Sequence, residues 1–268
     1  MKYLFIISAL VLYAFTAPRS FNSDKDLLLV QLDCKTDIDD IHTAAALYAL
    51  TQNKAYATLQ YKIIAGTYGI QEGLYVPPNT LLNMAFKNEW IDAHADREKA
   101  LKKTLVLVKK TLKKGGDIWI AEAGQSDFSA LLVKSVQQNM PEFNTKERIH
   151  IVQHSDWNES VTTKADLAFV QKNTDYRKIP DGNVEGNGSP GFRRAGIRLD
   201  NYTYTHPRVK QVWEEALRVA NTYNGKEGRY NNEAVAEGGL DFSDFAEVCS
   251  ILGIEHLTKA EDFFQKFN

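Results

Sequence analysis

Leu27-Leu28-Leu29-Val30-Gln31-Leu32-Asp33-Cys34-Lys35-Thr36-Asp37-Ile38-Asp39-Asp40 opens on an almost unbroken apolar run and closes on four carboxylates. A short apolar run without alternation is the pattern of a strand covered on both faces, as in the middle of a parallel sheet. The acidic turn that follows falls where a strand hands over to a helix.

Outward from this stretch the pattern repeats. The alanines and leucines of 41–50 predict a helix, and Tyr61-Lys62-Ile63-Ile64-Ala65-Gly66 a second strand. A helix over 80–86 follows Pro77-Pro78, with proline suited to the first helical turn. A charged helix over 96–114 stops at Gly115-Gly116. Strands over 117–121 and 149–152 alternate with helices over 129–138 and 163–171. A Gly/Asn/Pro-rich loop over 180–191 precedes two closing helices, 206–223 and 242–252. Strand–helix alternation with short turns gives an α/β fold, a mainly parallel sheet with helices on both faces, Rossmann-like in type. No repeat or linker divides 24–268, so one domain is expected there.

Hydrophobic residues make up 44% and charged residues 25%, the composition of a packed globular domain rather than a disordered chain. A net charge of -2 provides no global field for nucleic acid, so none is expected as a partner. The lysine pairs 102–103, 109–110 and 113–114 read as the solvated face of an amphipathic helix. Lys2, the apolar run 4–15 and Ala14-Phe15-Thr16-Ala17 have the layout of a secretory signal peptide over 1–20. The run is short for a permanent span, although an uncleaved anchor is the competing reading. The expectation is a secreted or periplasmic protein with no stable membrane insertion after processing. Cys34 and Cys249 are the only cysteines, and both sit in apolar stretches. Two buried thiols are favoured, with one bridge open because export permits it.

Ligands of open α/β sheets collect beyond the carboxyl ends of the strands, where Asp33, Asp37, Asp39 and Asp40 stand. Crowded carboxylates raise one another's pKa unless a proton or cation is shared, and a hard cation such as calcium relieves the repulsion. Helix capping accounts for one or two of these acids, not for four. Asp33-Cys34-Lys35-Thr36 also brushes against the Asp-x-Asp-x-Thr of phosphoryl-transfer enzymes, but lacks its second Asp. No Gly-x-x-x-x-Gly-Lys loop is present.

Leu32-Asp33-Cys34 and Ile38-Asp39-Asp40 resemble the two ends of the Asp-rich fingerprint of the nucleoside hydrolases, inosine-uridine preferring type. The chain is similar to a divergent branch: Lys35 stands in place of an Asp that binds calcium and acts as base, and Thr36-Asp37 replaces Pro-Gly. Ala121-Glu122-Ala123-Gly124-Gln125-Ser126-Asp127 resembles the loop whose carbonyl reaches the metal. Asp156-Trp157-Asn158 looks like the Glu-Phe-Asn segment that holds ribose, and Ser243-Asp244-Phe245 like a His-Asp-Pro segment that supplies the last ligand. The resemblance implies a calcium site of Asp33, Asp40, Asp127 and Asp244. It implies Asp39, Asp156, Trp157 and Asn158 on the ligand, with Asp37 and Lys35 carrying the chemistry. The reaction it implies is hydrolysis of the N-glycosidic bond of ribonucleosides or similar N-ribosyl compounds. Related proteins are commonly homo-oligomers.

Other readings compete. An ammonium at Lys35 inside the carboxylate ring would replace the metal, leaving a sugar-binding or structural module without turnover. Asp127 equally fits a helix cap, and Trp157 fits the core. His150 and His154, without partners at metal-ligand spacing, read as structural. The loop 182–191 suits either a connection or a lid, with Arg193 and Arg194 steadying it or an acidic substrate.

Overall fold

The computed structural model describes residues 19–267, so the signal-peptide reading falls almost wholly outside the described residues. Strand β1, Leu27–Leu32, is buried along its whole length, as its unbroken apolar run dictates. Around it stand β2 (Tyr61–Ala65), β3 (Trp90–Asp92), β4 (Ile118–Ala123), β5 (Ile149–His154) and β6 (Asp175–Ile179). All five pairings are parallel, in the order β3-β2-β1-β4-β5-β6. Successive residues of β1 serve opposite cores. Leu28, Val30 and Leu32 face one, Leu27 and Leu29 the other.

The first core is covered by α1 (Asp39–Gln52), α2 (Asn79–Phe86), α8 (Pro207–Tyr223), α10 (Phe245–Leu252) and α11 (Ala260–Lys266). The second lies under α3 (Arg97–Lys113), α4 (Asp127–Asn139) and α7 (Lys164–Asn173). Short helices α5 (Thr145–Arg148), α6 (Asp156–Ser160) and α9 (Glu233–Ala236), and the pair β7 (Arg193–Arg194) and β8 (Leu240–Asp241), complete the chain. Helix α1 is buried from Asp40 to Leu50, which explains why its small alanines show no polar face. Helix α3 buries Ala100, Thr104, Val108 and Leu112 and leaves its lysine pairs exposed. Both cysteines are free and buried. No helix among the described residues is long and apolar enough to cross a membrane.

Three expectations need correction. Two edge strands, β3 and β6, were not anticipated, because β3 is three residues long and β6 is charged and half-buried. The chain ends on a further helix, α11, driven by Phe263 and Phe264 packing into the core. The helix expected from residue 242 begins at Phe245, since Leu240–Asp241 pairs with Arg193–Arg194 as a strand.

At the opposite end of the sheet, the buried carboxylate of Asp117 receives His150 Nε2 at 3.1 Å, Arg19 Nη1 at 2.7 Å and Arg148 Nε. Burial alone would raise its pKa, but these partners hold it below the ordinary carboxylate range. A depressed folded value means stability present above the unfolded value and lost as pH falls through the folded one. Asp117→Asn is therefore expected to cost about 2–3 kcal/mol at pH 7. That lies below the full buried-pair penalty because Arg19 and Arg148 are partly exposed. Urea melts at pH 7 and pH 3 check this: the gap between variant and parent closes at the lower pH.

Candidate metal and ligand site

The strand order reverses direction between β1 and β4, and such a switch point opens a crevice beyond the strand ends. A cavity of about 450 Å³ lies there. Its floor is the acidic turn. Cys34, at φ 53°, sends its N–H to Asp40 Oδ2 at 2.5 Å, folding the turn back onto the first turn of α1. Asp33 accepts from Lys35 N at 2.8 Å and Gln125 Nε2 at 2.6 Å. Segment 34–36 is held from outside by Val76 N on the Cys34 carbonyl and by Tyr230 N on Thr36 Oγ1. Left-handed φ at a non-glycine residue costs about 1–3 kcal/mol and gathers at functional sites. Ser155, at φ 76°, repeats it at the end of β5.

Asp244 arrives from the far end of the chain, as the residue before α10, and joins Asp39 and Asp40. One carboxylate oxygen of each lies within 4.8 Å of the others. Burial holds all three well above the ordinary carboxylate range, helped at Asp39 and Asp40 by repulsion from Asp244 and opposed at Asp244 by the nearby His154. Burial raises Asp33 to about 6. Burial and the neighbouring Asp241 raise Asp37 to about 7. Asn232 Nδ2 clamps that last pair, 3.3 Å from Asp37 Oδ1 and 2.7 Å from Asp241 Oδ2. Asp40 Oδ1 is buried with no hydrogen-bond partner. A buried carboxylate oxygen with no donor, beside two further carboxylates, is relieved by a bound cation or by a shared proton.

The ends of β4, β5 and β6 deliver the remaining walls. Gly124 follows β4 at φ 113°, and a Cβ there would lie 2.4 Å from Asp33 Oδ2, so only glycine lets the strand end approach the acidic turn. His154 closes β5, followed by Ser155, Trp157 and Asn158 on the cavity wall; Asp181 and Asn183 come from beyond β6. Arg193 lies 3.5 Å from Asp241 and also lines the space. The loop over 182–191 is tied down at Gly182 O by Phe192 N, at Thr258 O by Gly191 N, and through Glu185 to Arg194.

Of the residues singled out in sequence, Asp33, Lys35, Asp37, Asp39, Asp40, Trp157, Asn158 and Asp244 line this cavity. Two do not. Asp127 turns away to accept from Thr163 N at 3.3 Å and from Thr163 Oγ1, tying α4 to the start of α7. Asp156 points to solvent and pairs with Lys178, its side chain 98% exposed. Asp39 sits among the carboxylates of the triad. Trp157 is 64% exposed, so it is not core. Lys35 Nζ lies 4.4 Å from the centre of the Tyr68 ring and makes no ion pair among the described residues.

Sequence reasoning passed over Asp181, Tyr230, Asn232, Asp241 and Glu247, and read His154, which lines the cavity, as structural. His154 Nδ1 lies 2.7 Å from Glu247 Oε1. Burial alone would lower the imidazole pKa, but Glu247, Asp244 and Asp181 outweigh it and raise the value to about 9. Its position as the last residue of a central strand was the available signal. His150, bridging Asp117 and Asp175 and stacked on Trp119, is structural as read. The chain matches no protein-family model, no curated protein and no solved structure.

Proposed function

We propose that this protein hydrolyses the N-glycosidic bond of ribonucleosides or related N-ribosyl compounds, in the manner of the nucleoside hydrolases it resembles, with a divalent cation at the strand ends. The observation that carries the reading is the meeting of Asp39, Asp40 and Asp244 around the unpartnered Asp40 oxygen. Those three would hold the ion; the resemblance implies calcium. When bound, it offsets the carboxylate charge and acidifies a coordinated water.

The rest falls to the chain's own groups. Asp37, fixed by Asn232 on the cavity wall, is the acceptor for a water proton. Asn158 and Asp181 offer hydrogen bonds to sugar hydroxyls, and holding the sugar in one pose lowers the barrier to an oxocarbenium-like transition state. Trp157 and Tyr230, exposed residues of the cavity lining, would stack on the leaving base. Lys35, held over Tyr68, strengthens the acidity of Asp33 through its charge. Export stays part of the proposal on the sequence of residues 1–20 alone.

The rival, in which the Lys35 ammonium replaces the metal, is disfavoured by the placement of Lys35 Nζ over the Tyr68 ring, 4.4 Å from its centre, rather than in an ion pair with the triad. Purified protein is expected to carry one divalent ion per chain and to release free sugar from nucleosides. Asp37→Asn should keep the ion and lose at least about a hundredfold in turnover, the scale of a lost general base. Sugar binding by a metal-free chain, without cleavage, would establish the rival instead.

A further inference from the structure

Lys35 and Arg193 line the acidic cavity, and neither is spent on the acids around it. Asp33 stands two residues from Lys35, but its carboxylate is taken by Lys35 N at 2.8 Å and Gln125 Nε2 at 2.6 Å. The Lys35 ammonium rests over the Tyr68 ring instead and makes no hydrogen bond or ion pair among the described residues. Arg193 reaches the same cavity from β7. Its Nε stands 3.5 Å from Asp241 Oδ2, and its Nη2 donates to Tyr230 Oη at 3.4 Å. Both separations exceed the about 2.7–3.2 Å of a well-made bond. Nη1 makes no hydrogen bond among the described residues, and the Tyr230 O–H has no acceptor there. Thr36 links the two cations, because it follows Lys35 and its Oγ1 accepts from Tyr230 N at 3.1 Å.

If these cations served only to neutralise the cavity acids, attraction would draw them into close pairs. It does so for Lys178, 2.7 Å from Glu159, and for Arg148 on Asp117. The acids, in contrast, are provided for. The triad awaits its ion, Asp33 has the two donors above, and Asp37 accepts from Ile38 N at 2.6 Å and from Asn232. Asp181 Oδ1 accepts from Asn183 N at 2.9 Å and Nδ2 at 2.8 Å. The unmatched groups of the lining are therefore donors, two of them cationic.

We propose that the N-ribosyl ligand of this cavity carries an anionic group, a phosphate or a carboxylate, bound by Arg193 and Lys35 with the Tyr230 hydroxyl. The planar guanidinium matches either anion through two parallel bonds, and the ammonium acts as a point charge. This rests on the hydrolase reading above and narrows its substrates from neutral nucleosides to ribonucleotides or ribosides of a carboxylated base.

The test gives full-length protein in saturating Ca2+ three substrates: uridine, uridine 5′-phosphate and orotidine, whose base bears a carboxylate. A reducing-sugar assay follows cleavage. One of the two anionic substrates is expected to exceed uridine in kcat/KM at least about tenfold, the scale of a hydrogen bond to a charged group. Which one does so locates the anion on the sugar or on the base. Arg193→Gln should remove most of that preference and Arg193→Lys should keep part of it; Lys35→Gln reads the same loss should Arg193→Gln fail to fold. Calorimetry of ribose 5-phosphate against ribose, and of orotate against uracil, measures the preference without turnover. Uridine cleaved as well as both anionic substrates overturns the inference and leaves the hydrolase reading standing. A preference that these variants leave intact does the same, since the anion would then lie on the metal. Arg193-dependent binding of ribose 5-phosphate or orotate, with no substrate cleaved, upholds the anion site and sinks the hydrolase reading. Neither cleavage nor preferential anion binding overturns both.

Discussion

Asp244→Asn is expected to abolish divalent-ion binding, to lower sugar release at least about a thousandfold, and to raise the melting temperature of the chelator-treated chain. Asparagine keeps the shape and one oxygen of the side chain but removes its charge. The loss of a metal that activates water is a matter of several kcal/mol, and each 1.36 kcal/mol is tenfold in rate. The gain in stability has the same cause. Asp244 makes no capping hydrogen bond at the start of α10, so no helix contact is lost. What is lost is a carboxylate that burial and the neighbouring acids Glu247, Asp33 and Asp241 disfavour, which outweighs the lost attraction to His154 3.9 Å away. Metal analysis, a reducing-sugar assay and thermal melts of the two chains read the three effects. Full metal content and undiminished turnover in the variant would remove the site. A lower melting temperature in chelator would make Asp244 a structural residue.

The central strand was legible because burial on both faces leaves a chemical mark. Six consecutive positions that must all be covered cannot carry charge, and 27–32 reads as β1 residue for residue. Edges leave a fainter mark. Asp175–Ile179 is half in water and holds two basic residues, so it lacks the apolar run that marked β1. Crowding of Asp33, Asp37, Asp39 and Asp40 within one turn could likewise be seen locally, since repulsion between neighbours is a property of the sequence itself. Facing is not. Asp127 and Asp156 stand one residue inside helices at the right strand ends, but one turns to Thr163 and the other to Lys178. His154, two residues before Asp156, faces the cavity. Its pairing with Glu247, 93 residues on, depends on α10 packing across the ends of β4 and β5, which no local pattern encodes.

Stripped of divalent ions, the protein should become more stable as pH falls from 8 to about 5, by at least about 5 °C in melting temperature. The acids of the cavity set the sign. Asp33 is raised to about 6 and Asp37 to about 7, and Asp39, Asp40 and Asp244 are raised well above the ordinary carboxylate range, all from an unfolded value near 3.8. Outside the cavity, buried Glu122 is raised to about 7 from 4.5. A group whose folded pKa exceeds its unfolded one binds its proton first in the folded state. Its contribution is therefore complete below the unfolded value and lost as pH rises through the folded value. The window runs from about 7 or above down to about 4. His154, raised to about 9 from 6.5, adds to the trend at its upper end. His42, lowered by burial to about 4 from 6.5, opposes it below 6.5, and loss of the Asp117 ion pairs opposes it below about 4. One pKa unit in one group is worth about 1.4 kcal/mol, and 1 kcal/mol moves the melting temperature of a chain this size by about 2–4 °C. Even with heavy discount for coupling among the acids, the shift exceeds the noise of a melt. Saturating divalent ion should flatten most of this dependence, because it offsets at pH 8 the charge that protons offset at pH 5. Glu122, away from the cavity, keeps its share. Asp244→Asn should flatten it without metal. A stability that is level or falling between pH 8 and pH 5 in chelator would mean that the acids are not confined together as charges. The ion would then have nothing to relieve.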